Sequence, residues 1–203
     1  MGYTTDFGGS LTLSRPLTKK QRDYINLLSE TRRMKRDVNK LMEIYNGKHG
    51  YPFTKSKNPK KIYGNDGEYF ARNDGNAGQI ADDSIIDYNT PPGQMEHNSI
   101  SDFDSTWNEN EKRISEGTCQ PGLWCQWVIS EDGTELMWDG MEKFYNYIEW
   151  LAYYINHFFE PWGIKLNGEI SWVGEDPSDI GKIVVKDNQI TILEGVITFK
   201  KVK

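Results

Sequence analysis

The sequence predicts an α+β fold: an antiparallel sheet with two helices packed on one face, and a long irregular insertion between the first helix and the second strand. Three observations predict it. Short runs that alternate apolar and polar residues, separated by turn residues, occur at the start and through the last third of the chain. Two longer stretches repeat apolar residues every three or four positions, the period of a helix with one buried stripe. Between them, residues 47–121 are rich in Gly, Asn, Asp, Pro and Ser and carry little periodicity. The 203 residues read as one domain, 1–203, with 47–121 as an irregular acidic insertion.

The opening run holds Tyr3, Thr5, Phe7, Leu11 and Leu13, which predicts a strand with a bulge at Gly8-Gly9. Thr18, with Gln21 three residues later, forms a capping box and starts a helix at about Lys19. Tyr24, Leu27, Thr31, Met34, Val38, Leu41 and Tyr45 then make one stripe, and Gly47 ends it. On such a helix Arg22, Arg32, Arg33, Arg36 and Lys40 lie opposite the stripe, on the outer face. A short helix is expected near Asp104–Ser115. Strands are expected over 123–130 and 135–139, joined by a turn at Asp132-Gly133. The second long helix runs through 141–159, with Phe144, Ile148, Leu151, Ile155 and Phe158 as its core stripe and Pro161 at its end. Three further strands follow, the last of them over 190–200.

Charge is unevenly spread. Residues 1–61 hold 14 Lys or Arg against 5 Asp or Glu, and residues 62–203 hold 10 against 25, which sum to the net −6. Such a balance points away from nucleic acid as the main ligand. No apolar run approaches the ~20 residues of a membrane span. The N-terminus has neither the basic nor the apolar region of a signal peptide, so a cytoplasmic location is expected. Cys119 and Cys125 have five residues between them and no second pair, and they read as free thiols.

Several motifs, "ETRRMKRD", "PGLWCQW" and "LNGE" among them, follow an opening Met-Gly-Tyr-Thr-Thr. In these the chain resembles an uncharacterised family of small bacterial and phage proteins. The resemblance implies a bacterial or phage origin and a cytoplasmic setting, and it transfers no catalytic residue.

Candidate chemistry is sparse. No glycine-rich phosphate loop is present, and the stretch 72–83, "RNDGNAGQIADD", lacks the ligand pattern of a calcium loop. His49, His97 and His157 stand in no local catalytic signature. Glu169, Glu175 and Asp176 near Trp172 are explained by strand and turn chemistry. No cofactor or metal is expected. Candidate binding residues are Arg32, Arg33, Arg36 and Lys40 on the basic face, and Asp82 and Asp83 in the insertion. The basic face either meets solvent, pairs with the acidic insertion, or grips an external anion. Tyr147, Trp150 and Tyr154 form a second helix stripe, a protein-binding patch if exposed. The leading expectation is a non-enzymatic binding protein with a protein partner, a phage-type inhibitor of a host defence protein that works through an acidic surface. The alternative is an enzyme acting on a phosphorylated small molecule, with the Arg32–Arg36 cluster on phosphate. The sequence leaves the oligomeric state open.

Overall fold

Residues 2–48, 55–72, 81–97, 99 and 103–201 are described by the computed structural model. In chain order they form β1 (Thr5–Leu13), α1 (Lys19–Ser29), β2 (Lys35–Arg36), α2 (Val38–Tyr45), α3 (Pro59–Tyr63), β3 (Ile85–Asp87), α4 (Phe103–Ser115), β4 (Trp127–Ile129), β5 (Glu135–Trp138), α5 (Tyr147–Tyr154), β6 (Leu166–Gly174), β7 (Ile180–Lys186) and β8 (Gln189–Glu194). The fold is mixed α+β. Six strands make the main antiparallel sheet in the order β4-β5-β1-β6-β7-β8, and β2 pairs with β3 in a separate ribbon. Among the described residues no helix is long and apolar enough to cross a membrane.

β1 lies inside the sheet, against β5 on one side and β6 on the other. Its register with β6 runs unbroken from Thr5↔Gly174 to Leu13↔Leu166, so the expected bulge at Gly8-Gly9 is absent. Gly9 instead answers a close approach. Its φ is +100°, and a Cβ there would lie 2.6 Å from the Glu169 carbonyl oxygen. The β7–β8 hairpin turns on Asp187 and Asn188, with φ of 49° and 71°, the left-handed pair a two-residue turn requires.

The core joins Leu11, Ile170, Trp172, Ile183 and Val185 of the strands to Ile25 and Leu28 of α1 and to Trp150, Leu151, Tyr154 and Phe158. The capping box at Thr18 and Gln21 starts α1 as expected. The second helix starts later than expected. Lys143 and Asn146 hold φ of 64° and 54°, outside helical geometry, so Phe144 is buried from a loop and α5 begins at Tyr147. A π-helical turn over Ile155–Phe159 then follows α5. That geometry changes which side chains face inward, and apolar groups are buried all around it: Trp150, Leu151, Tyr153, Tyr154 and Phe158 are each 0% exposed.

The first long helix requires the larger correction. It stops at Ser29, and the chain runs non-helically to Asp37 before α2 begins. Thr31 Oγ1 turns back to the Leu27 carbonyl (2.6 Å), and Arg33 N–H bonds to the Leu123 carbonyl (2.8 Å) instead of a helical partner. Asp37 then caps α2, its Oδ1 accepting from Asn39 N (2.8 Å) and Lys40 N (3.3 Å). The arginines therefore do not line one outer helix face.

Candidate functional site

Segment 31–36 is a clamp. Arg32 Nη2 donates to the Tyr88 carbonyl at 2.8 Å. Arg33, 2% exposed, donates from Nε to Gln120 Oε1 at 2.8 Å and from Nη1 to the Phe70 carbonyl. Lys35 Nζ reaches the Gln94 carbonyl at 3.2 Å and Glu96 at 3.4 Å. Arg36, 3% exposed, bonds to Asp82 and to Ser84 Oγ, each at 2.8 Å, and its guanidinium lies 5.0 Å from the Phe70 ring centroid. Four basic side chains within five residues thus hold five separate parts of the insertion. Burial removes Arg33 and Arg36 from water, and charge-assisted hydrogen bonds offset that cost.

Beneath the clamp lies a polar chamber. Glu68 Oε1 stands 3.5 Å from His157 Nε2, and His157 Nδ1 lies 3.1 Å from the Tyr69 hydroxyl. Burial pushes the Glu68 carboxyl up to about 7, against the pull of Tyr153, Arg33 and Arg113, and pushes His157 down to about 4. The neutral imidazole therefore stands between the Tyr69 hydroxyl and the Glu68 carboxyl. Among the described residues, Arg33 Nη2, Gln120 Nε2 and Trp150 Nε1 are buried with no hydrogen-bond partner. Tyr153 Oη has no partner of ordinary geometry either, although Tyr153 helps keep Glu68 charged.

Above the clamp, the insertion and the 139–149 segment enclose a groove. Gln94 borders three adjoining cavities of 780, 610 and 340 Å³. Trp124, Gln126 and Glu142 carry the groove on into a fourth of 510 Å³ beside Met141. The clamp sets its floor: Arg33 fixes the Gln120 side chain, and the Gln120 carbonyl accepts from Gln94 Nε2 at 2.7 Å. One wall is α4. Asn110 ties it down through Met95 N (2.8 Å) and Met95 O (3.0 Å). Gly117 lets it approach α5, since a Cβ there would lie 2.7 Å from the Ala152 carbonyl carbon.

The lining is acidic. Glu111 and Glu149, Asp87 and Glu96, Glu142, and Glu30 and Asp139 face the groove, against Lys112 and Lys143. It also offers aromatic and thioether surface. Trp107 is 48% exposed and stacks on Phe103 at 5.8 Å, while Met141 is 63% exposed. Amides of Asn89, Asn108, Gln126 and Asn146 add donors and acceptors.

The residues singled out in the sequence fall in three places. Arg32, Arg33, Arg36 and Asp82 belong to the clamp. Lys40 and Asp83 border a 490 Å³ depression beside α2. Trp150 and Tyr154 are fully buried and Tyr147 is half-buried against Phe7, so this stripe is core, not an exposed patch. His49 and most of the stretch compared with a calcium loop lie outside the described residues. Among the described residues no group of three His, Cys, Asp or Glu side chains can hold a metal ion. The groove residues were legible in one respect: Trp107 is the one aromatic within the strongly polar stretch "STWNENEKRI". No family model matches the chain, and no curated protein or solved structure matches it.

Proposed function

We propose that this chain acts in the cytoplasm as a non-enzymatic binding protein that seats a basic segment of a protein partner in the acidic groove. The carrying observation is the groove itself: seven carboxylates against two lysines, named above, around a half-exposed Trp107. Such a lining attracts cationic chains over a distance and suits a Lys or Arg side chain stacking on indole. A groove that takes a partner's basic surface also competes with any nucleic acid using that surface. This supports the reading as a phage-type inhibitor of a host defence protein. The phosphate-gripping enzyme has less support, because the guanidinium groups of Arg33 and Arg36 are turned inward and already bonded.

Calorimetric titration with a Lys/Arg-rich peptide and with its Glu-substituted counterpart tests the reading. The basic peptide should bind with an affinity that falls as salt rises, and the acidic one should not bind. Glu111→Lys with Glu149→Lys should abolish the signal. Equal heats from both peptides, or binding unaffected by the double substitution, would refute it.

A further inference from the structure

The two edges of the main sheet are treated differently. At β4 the free backbone groups are covered from α1: Asn26 accepts from Ile129 N–H at 2.7 Å and donates to the Ile129 carbonyl at 3.1 Å, and Ser29 Oγ donates to the Trp127 carbonyl. At β8 nothing comparable occurs. The hairpin closes at Lys186↔Gln189, and Gly195 N–H still bonds to the Ile180 carbonyl at 2.7 Å. Antiparallel alternation therefore turns Gln189, Thr191 and Leu193 toward β7, and turns the backbone groups of Ile190, Ile192 and Glu194 outward. Among the described residues, none bonds to them. β8 itself, "QITILE", contains no Lys, Arg or Pro, the residues that usually block an open edge.

The chain after β8 has strand-forming composition without a strand partner. Val196 is 85% exposed and Phe199 is 94% exposed. Both lie beyond the end of β7, which has no residues left to pair with them.

We infer that β8 pairs with the β8 of a second copy of this chain about a two-fold axis, giving one sheet continuous through both copies. The occupant is a second copy because the segment is self-complementary. In antiparallel pairing about Ile192, residues 190–194 of one copy lie along those of the other, with Ile190 of each copy opposite Glu194 of the other. The basic residues Lys200 and Lys201 are carried toward the partner's hairpin, where Asp187 stands half-exposed with Lys165 at 3.3 Å. Each copy gives and receives the same contacts, as a closed two-fold interface requires.

Sedimentation equilibrium at micromolar protein should return twice 23.5 kDa. Leu193→Lys should return the monomer, whereas Val173→Lys, on the outer face of β6 and 54% exposed, should leave the dimer intact. Hydrogen exchange supplies an independent readout on the unmutated chain. The amides of Ile190 and Ile192 should exchange at least about tenfold more slowly than solvent-facing strand amides, because a second strand covers them. A monomer at every concentration, or unprotected amides at Ile190 and Ile192, would overturn the inference.

Discussion

Arg36 and Asp82 meet at 2.8 Å, 46 positions apart in the chain, with side chains only 4% and 13% exposed. Asp82 Oδ1 also receives Ser84 N–H at 2.9 Å, and Oδ2 receives the Tyr45 hydroxyl. One carboxylate thus ties the clamp, the β3 approach and the α2–α3 subcluster of Leu41, Tyr45, Tyr63 and Phe70 together.

The first prediction follows from that geometry. Burial works against the Asp82 charge, but Ser84, Tyr45 and Arg36 together hold its pKa below the ordinary value. A depressed carboxyl contributes stability that is present above its unfolded pKa and lost as pH falls through the folded one. Asp82→Asn leaves Arg36 buried without its counter-charge and should cost about 3–5 kcal/mol in urea unfolding. A loss below about 1 kcal/mol would mean that the pair is not closed in solution.

Charge reversal within the basic segment should separate clamp from surface. Arg33→Glu and Arg36→Glu each place a carboxylate among buried partners and should prevent folding, as read by near-ultraviolet circular dichroism. Lys40→Glu changes an exposed side chain and should shift stability by about 0.5 kcal/mol or less. Similar effects at Lys40 and Arg36 would return the segment to the surface.

Much of the scaffold was legible because local chemistry and fold agree there. The capping box at Thr18, the Asp132-Gly133 turn and the alternation in β6 and β7 each act over a few residues. The break after Ser29 was hidden for a physical reason. Thr31 and Met34 are buried in the non-helical link as they would be on a helix stripe, so the apolar period continues although the backbone does not. Asp37 ahead of Val38 was the available sign of a new helix start. The inward turn of Arg33 and Arg36 had no local sign at all, because their partners Gln120 and Asp82 are 87 and 46 positions away. The π-helical turn was equally silent, since it alters the helical period without a marker residue.

The Glu68–His157 pair should be nearly silent to pH where each partner alone is not. Unfolded, the carboxyl titrates near 4.5 and the imidazole near 6.5; folded, they sit at about 7 and about 4. Between pH 4.5 and 6.5 the unfolded pair is Glu⁻ with HisH⁺ and the folded pair is protonated Glu with neutral His. Both hold one proton, so stability should barely change across this window. Glu68→Gln leaves the lowered imidazole, whose contribution rises with pH, and stability should climb by about 1.4 kcal/mol per pH unit. His157→Gln leaves the raised carboxyl, and stability should fall at a similar rate up to about pH 7. Urea midpoints at half-unit intervals decide it, and slopes of equal sign in the two variants would break the argument.

The covered edge gives the last prediction. Asn26 serves β4 because an amide has both a donor and an acceptor, matched to Ile129 O and N–H. Asp can accept from Ile129 N–H but sets a carboxylate against the Ile129 carbonyl, and Ala satisfies neither group. Each buried backbone group left unpaired costs about 1–3 kcal/mol. Asn26→Ala should therefore lower stability by a few kcal/mol and uncover a second open edge. Asn26→Asp should be destabilised at neutral pH and partly recover as the carboxyl protonates and regains a donor. Light scattering on warming should show earlier association for Asn26→Ala than for the unmutated chain, since a sheet open at both edges can extend without closing. If Asn26→Ala unfolds at the same urea concentration and scatters no earlier, water is satisfying β4 and α1 is not its cover.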